Sequence, residues 1–367
     1  MSWFTIKNID AIDSPALVIY KERVAENIVL LKGMVDGSVD RLRPHVKTNK
    51  ITEVCQMIMD AGITKFKCAT IAEAEMLAMI KAPDVLLSNQ PVGPKANRLA
   101  MLVEKYPDTK FSAVIDNIHS AASLSQLFSA KKISLNLFID LNTGMNRTGI
   151  TAPHAAQLFE AVRSLPAVKV IGLHAYDGHI HDTDPALRKE HVEQAFSKVQ
   201  ILAAAIEAVS KQPVIIVAGG SPTFPIYADR KEVECSPGTF IFWDWGYKHT
   251  MPDEPFDYAA LVITRVVSIV DDHTITTDLG HKSVAAENPF PRVHFLNAPE
   301  VQPVSQSEEH LVAKVPDASK YTIGEVFYGV PVHICPTVAL YEKVLVIENN
   351  IASAEWKVIA RDRKITV

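Results

Sequence analysis

Apolar positions follow two rhythms along the 367-residue chain. Short, continuous apolar runs alternate with longer segments in which apolar residues recur every third or fourth position, the spacing of one helix face. Ala16-Leu17-Val18-Ile19-Tyr20 is the first run, and Val24, Ile28, Leu31 and Met34 follow it at helical spacing. The alternation then predicts strands over 42–47, 65–69, 84–88, 111–115, 135–140, 168–173 and 214–218, with helices between them. Strict alternation with apolar strands implies a parallel sheet covered on both faces. Eight or nine such units in about 230 residues fit a closed (β/α)8 barrel, with an open doubly wound sheet as the alternative. No GxGxxG turn follows the first strand, which favours the barrel.

Past residue 245 the rhythm changes. Met251-Pro252-Asp253-Glu254-Pro255 breaks regularity, and runs such as Leu261-Val262-Ile263-Thr264-Arg265-Val266-Val267 and Thr274-Ile275-Thr276-Thr277 are short and β-branched. Asp271-Asp272 and Glu348-Asn349-Asn350 read as turns between strands. The expected organisation is an N-terminal tail or edge strand over 1–13, a barrel over 14–245 and a β-rich domain over 246–367.

Composition narrows the partners. Hydrophobic residues are 48% and charged residues 22%, ordinary for a globular protein. The net charge of −5 and the absence of a basic run argue against nucleic acid. No apolar stretch has the length of a membrane span, and the N-terminus lacks a signal-peptide pattern, so no membrane and a cytoplasmic location are expected. Cys55, Cys68, Cys235 and Cys335 form no CxxC and do not read as a disulfide framework.

Four stretches carry chemistry. Arg43-Pro44-His45-Val46-Lys47-Thr48-Asn49-Lys50 ends a predicted barrel strand, and in such barrels the reacting groups sit at the strands' C-terminal ends. Gly219-Gly220-Ser221-Pro222-Thr223 follows the last strand directly, and Ser236-Pro237-Gly238-Thr239 is a second small-residue turn. Glycines let a backbone approach an anion, and loops after late barrel strands often hold phosphate. Each turn alone is equally a plain turn. Arg147, after Thr143-Gly144-Met145-Asn146, offers a charged fork to an anionic oxygen or caps a helix. His174-Ala175-Tyr176-Asp177-Gly178-His179-Ile180-His181-Asp182 packs three His, a Tyr and two Asp into nine residues, a density suited to acid–base work or metal binding. Finally, His333-Ile334-Cys335 has i, i+2 spacing. On a β-strand both side chains would share a face, and imidazole with thiolate suits zinc.

Together these stretches resemble the fold-type III pyridoxal-phosphate enzymes. Pro44-His45-Val46-Lys47, Thr143-Gly144-Met145-Asn146-Arg147-Thr148-Gly149 and Ser236-Pro237-Gly238 are similar to alanine racemase. Arg43-Pro44-His45-Val46-Lys47-Thr48 and His333-Ile334-Cys335-Pro336-Thr337 are closer to the metal-activated D-threonine aldolases and D-serine dehydratases. The resemblance covers nearly the whole chain. It implies an alanine racemase-like (β/α)8 barrel followed by a C-terminal β-domain that the N-terminal tail joins, and head-to-tail homodimers. It further implies that Lys47, not Lys50, holds pyridoxal 5'-phosphate as a Schiff base, that Arg147 contacts its phenolic oxygen, and that Tyr176 lies at the pyridine nitrogen. Gly220, Ser221, Thr223, Gly238 and Thr239 would hold the phosphate. His333 and Cys335 would bind a divalent metal, zinc favoured and manganese the alternative. His179 or His181 matches the region of a catalytic His. Asn49 stands where the family often has His. In the aldolase branch the second metal ligand is more often Asp, so Cys335 tilts toward the dehydratases. The implied activity is a lyase on small D-3-hydroxy amino acids: a D-threonine aldolase giving glycine and an aldehyde, or a D-serine dehydratase giving a 2-oxo acid and ammonia. A racemase and a non-catalytic pyridoxal-phosphate carrier are the lesser alternatives.

Overall fold

The computed structural model describes residues 2–367, which form two compact units. The strands in chain order are β1 (Ala16–Tyr20), β2 (Lys65–Cys68), β3 (Asp84–Leu87), β4 (Lys110–Ile115), β5 (Leu135–Asp140), β6 (Val168–Ala175), β7 (Ile215–Ala218), β8 (Val233–Cys235), β9 (Ala260–Asp271), β10 (Thr274–Thr277), β11 (Val293–Phe295), β12 (Gln302–Gln306), β13 (Leu311–Lys314), β14 (Val326–Pro331), β15 (Lys343–Glu348) and β16 (Ile351–Lys357).

One unit is the barrel. Strands β2 to β8 pair in chain order, all parallel, with helices in the crossovers. The eighth stave is the irregular segment 42–47. Leu42 bridges Cys235 of β8 and His45 bridges Lys67 of β2, both parallel, which closes the ring. Pro44 explains the irregularity, because it carries no N–H to donate to a ladder. Leu86 of β3, Val114 of β4, Phe138 of β5 and Val217 of β7 form an apolar cluster that fills the barrel interior. Below this layer lies a charged one. Arg43, 1% exposed, donates to Glu234 Oε2 (2.7 Å) and Asp84 Oδ1 (2.6 Å), and Lys65 reaches Glu234 Oε1 (2.5 Å). The last residues of the chain also belong here: buried Glu75 accepts the backbone N–H groups of Thr366 (3.0 Å) and Val367 (3.1 Å).

The other unit is built on a nine-stranded, mostly antiparallel sheet in the order β12-β13-β10-β9-β1-β15-β16, with β14 joined to β9 and β11. Here the structure corrects the sequence reading. Ala16–Tyr20 is not the first barrel strand. It lies parallel to β15 and antiparallel to β9. An apolar run shows that a strand is buried but not which sheet buries it. Ile6, Ile12, Val18, Tyr20, Leu261, Ile263, Tyr328, Val330 and Ile347 form its core. The expected boundaries at 14 and 245 therefore move: the N-terminal segment through Leu30 and residues 239–361 cluster in this unit. Among the described residues no helix is long and apolar enough to cross a membrane.

Candidate active site

Lys47 ends the irregular stave, and four backbone bonds hold that stave. Arg43 N–H donates to Cys235 O (2.8 Å), His45 N–H to Pro237 O (2.9 Å), Val46 N–H to Lys67 O (2.9 Å), and Lys67 N–H to Pro44 O (3.0 Å). Val46 is 1% exposed, whereas Lys47 is exposed. Lys50 is not on the stave. Its φ is +55°, and its carbonyl accepts from Ala360 N–H in the β-rich unit.

A buried amine stands on the neighbouring strand: Lys67 of β2. Lys67 is 2% exposed, and burial together with the nearby Lys47 charge pulls its pKa down to about 7, against the pull of Asp177 and Asp140. Its Nζ donates to Ser236 Oγ and lies 5.4 Å from the centroid of the Tyr176 ring. The Arg147 guanidinium lies 5.2 Å from the same centroid. Register explains the position. Lys67 pairs with Leu86, so it shares the inward face of the apolar layer.

The two glycine turns leave the same end of the barrel, because β7 and β8 are parallel and Ala218 is paired with Cys235. Ser236 ties them together through N–H to Ala218 O (3.1 Å) and Oγ to Gly219 O (3.0 Å). Gly219 has φ +79°, a conformation that favours glycine. A Cβ on Gly220 would stand 3.0 Å from Tyr176 Cε2, and one on Gly178 2.3 Å from Tyr176 Oη. Backbone on both sides thus lies against the Tyr176 ring. The Thr223 hydroxyl is engaged within the turn. It donates to Asp177 Oδ1 (2.9 Å) and receives the Gly220 N–H (3.2 Å), so Thr223 shapes the turn. Ser221 is buried in that turn, Gly238 is the last residue of the 55–238 stretch of the barrel unit, and Thr239 is the first of the 239–361 stretch of the other unit.

A pair that sequence reasoning passed over stands on the same inward face. His174 Nδ1 is 2.7 Å from Asp140 Oδ1, and Asp140 Oδ2 accepts from Gln90 Nε2 (2.9 Å). Burial would raise the Asp140 pKa, but the bonds from His174 and Gln90 hold it below the usual carboxylate range. Burial lowers the His174 pKa. The ring is therefore neutral, donates from Nδ1, and presents a bare Nε2 that has no hydrogen-bond partner among the described residues. The available signal was alternation: Asp140 lies two residues beyond the core residue Phe138, and His174 is its register partner. Of the two candidate histidines, His179 packs on the Gly144 turn, where a Cβ would fall 2.6 Å from its Nε2. His181 is exposed, and its Nδ1 bonds to His179 O (2.8 Å).

In the β-rich unit, His333 and Cys335 meet, but not on a strand as the spacing suggested. His333 is the N-cap of the helix Ile334–Leu340, and Cys335 is in its first turn. Pro336 fits there because a first-turn N–H has no intrahelical partner in any case. Asp244 Oδ2 accepts the Ile334 N–H (3.0 Å) and fixes this turn. Burial would lower the His333 pKa, but hydrogen bonds to Cys335 and Glu287 and the charge of Asp244 push it up to about 9. His333 Nδ1 is 2.5 Å from Glu287 Oε1, and Cys335 Sγ is 3.1 Å from Thr48 Oγ1 and 3.6 Å from Thr239 Oγ1. Among the described residues no cluster of three or more His, Cys, Asp or Glu side chains is arranged to hold an ion.

Comparison with known proteins agrees with this layout. Residues 19–244 match the family model "Alanine racemase, N-terminal domain", and residues 259–347 match "Putative serine dehydratase domain". The chain is 26% identical to the D-threonine aldolase of Arthrobacter sp over 358 residues, 95% of this chain and 93% of that one. The crystal structure of D-threonine aldolase from Filomicrobium marinum superposes with a TM-score of 0.89 at 25% identity, covering 98% of each chain. The D-threo-3-hydroxyaspartate dehydratase from Delftia sp. HT23 gives a TM-score of 0.81 at 21% identity, covering 95% of this chain and 97% of that one. A Cys-to-Ala mutant of a dehydratase of the same name is known in a metal-free form. The chain belongs to the alanine racemase N-terminal domain family. Within it, this protein is a pyridoxal-phosphate-dependent lyase of the aldolase and dehydratase kind.

Proposed function

We propose that the enzyme cleaves D-3-hydroxy amino acids by retro-aldol reaction, as a D-threonine aldolase does, giving glycine and an aldehyde. The observation that carries this choice is the end-to-end likeness to D-threonine aldolase, 98% of each chain at a TM-score of 0.89. The residues fit the cofactor. An exposed amine at the end of a clamped stave, paired glycine turns at the strands' C-terminal end, and an oriented imidazole with an unpartnered Nε2 together suit a phosphorylated pyridine aldehyde.

Lys47 would hold the cofactor covalently, and Arg147 and Tyr176 would set its ring. Gly220, Ser221 and Gly238 would face the phosphate, while Thr239 begins the neighbouring segment. Pyridoxal phosphate supplies an electron sink, and a divalent ion at His333 and Cys335 supplies Lewis-acid activation of a hydroxyl oxygen. The metal-free mutant form of a dehydratase supports metal use, and imidazole with thiolate supports zinc. His179, rather than the exposed His181, is our choice for the group that takes the substrate's hydroxyl proton. Burial keeps His174 neutral and Asp140 holds its Nδ1–H, so that its Nε2 accepts rather than donates a hydrogen bond. We further propose a cytoplasmic homodimer.

Cys335 favours one second reading, dehydration of the same substrate class. Incubating D-threonine with the protein, pyridoxal phosphate and zinc or manganese separates them. Glycine with acetaldehyde supports the aldolase. Appearance of 2-oxobutanoate with ammonia transfers the assignment to the dehydratase, and L-allothreonine, the product of inversion at Cα alone, to a racemase. No turnover of any D-3-hydroxy amino acid overturns the proposal.

A further inference from the structure

The charged groups above the barrel's apolar layer do not balance around Lys67. Its side chain is buried, yet its one hydrogen bond among the described residues is to the neutral Ser236 Oγ, and it forms no ion pair there. An amino group has three or four hydrogen-bonding directions, so at least two remain open. Buried polar groups left in that state are costly unless a ligand completes them. Two features show where such a ligand would sit. Ser236 hands its own proton to Gly219 O, so Lys67 is one bond away from the turn that joins β7 to Gly220. The Lys67 amine also lies over Tyr176, as does the Arg147 guanidinium.

We propose that Lys67 is a second amine of the cofactor site, one that forms no covalent bond but is protonated when an anionic oxygen of the cofactor arrives and then pairs with it. The idea rests on the pyridoxal-phosphate reading above and adds to it a contact and a coupled proton. The groups facing Lys67 are Lys47 and Arg43 on the stave, Asp140 on β5, His174 on β6, and Asp177 and Arg147 from the loops. Asp140 is bonded to His174 and Gln90 and Asp177 Oδ1 to Thr223, and the one side-chain hydrogen bond of the Lys67 amine among the described residues goes to Ser236, not to either carboxylate. With a pKa near 7, the amine is mostly neutral in the ligand-free protein at alkaline pH. An anion bonded to it stabilises the ammonium form and draws one proton from solvent. No other atom changes its bonding.

The test is calorimetric titration of the full-length apoprotein with pyridoxal phosphate at about pH 8.5, in buffers of different ionisation enthalpy, for wild type, Lys67→Met and Lys67→Arg. Midway between about 7 and the ordinary lysine value near 10.4, the two states differ most in protonation. Wild type should take up close to one proton more than Lys67→Met. Lys67→Met should bind roughly tenfold or more weakly, the usual loss for a charge-assisted bond. Lys67→Arg is charged at every pH, so it should bind without the extra proton. Circular dichroism checks that each variant is folded, and Lys67→Gln replaces the Met variant if that one is not. Unphosphorylated pyridoxal and inorganic phosphate, run as separate probes, show which anion is the partner: the proton difference persists with pyridoxal for the ring oxygen and with phosphate for the phosphoryl group. Equal proton uptake and equal affinity in wild type and Lys67→Met overturn the inference while leaving the lyase reading intact. If borohydride places no cofactor on Lys47 in the wild type, both fall together.

Discussion

His174 Nδ1 lies 2.7 Å from Asp140 Oδ1, on neighbouring parallel strands whose register pairs these two residues directly. The contact follows from alternation: both follow the inward positions of the apolar layer, one turn of the pleat nearer the strands' C-terminal ends. It fixes one tautomer. A carboxylate accepts from Nδ1–H, so Nε2 carries the lone pair.

Asp140→Asn should therefore lower kcat by about 100-fold, the lower end of the range for disabling an oriented acid–base group. Affinity for the cofactor should change little. Steady-state kinetics and a fluorescence titration check both parts. The pair also sets a pH dependence of stability. The folded-state pKa of His174 is lowered, so between that value and 6.5 the unfolded chain binds more protons. This contribution is complete above pH 6.5 and is lost as the pH falls toward the folded-state value. Denaturant midpoints measured across that window should fall less steeply for His174→Gln than for wild type.

Arg43 anchors the stave from below, and both of its carboxylate partners would be left behind by its removal. Arg43→Met should cost about 3 kcal/mol, the scale for breaking a buried pair by removing one member. Urea unfolding of the apoprotein measures it. A loss under about 1 kcal/mol would mean that Lys65 and Lys110, which also reach Glu234 and Asp84, suffice.

Two glycines separate crowding from flexibility. At Gly178 a methyl group would collide with the Tyr176 ring, whereas at Gly33, in the helix Lys21–Met34, it would meet nothing within 4 Å. Gly178→Ala should displace Tyr176 and weaken cofactor binding at least tenfold with a modest effect on folding. Gly33→Ala should leave binding unchanged and raise stability by about 0.5–1 kcal/mol through helix propensity. Paired thermal melts and cofactor titrations distinguish the two.

For the metal, dialysis against a chelator should abolish turnover and leave the visible absorbance of bound cofactor in place. Re-addition of zinc or manganese should restore activity, and elemental analysis should find about one ion per chain. His333→Ala and Cys335→Ala should each lose the ion. Full activity in chelated protein would make the pair structural.

Much of this was legible in the sequence, and the exceptions share a cause. The alternation of apolar runs and helical spacing located β2 to β7, since each follows from local periodicity. Ala16–Tyr20 misled because its five apolar residues look the same in either sheet. The Lys47 stave was found by position, but Pro44 makes it an irregular segment held by backbone bonds to both neighbours. Lys67 and the His174–Asp140 pair were missed because each needs the register between strands, a non-local quantity. His333 and Cys335 were found as residues but assigned the wrong backbone. Their meeting depends on a helix N-terminus capped within the β-rich unit, which i, i+2 spacing alone does not encode.

Everything proposed about chemistry depends on which amine carries the cofactor. Lys47 is exposed at the end of the barrel stave, and Lys50 lies beyond it at φ +55° with its carbonyl bound to Ala360 N–H. Reduction of the reconstituted protein with borohydride, followed by proteolysis and mass spectrometry, reads the answer directly. The account predicts a single pyridoxyl group on Lys47 that is absent from Lys47→Ala and retained in Lys50→Ala. A label on Lys50, on Lys67 or on no lysine of the barrel would contradict it.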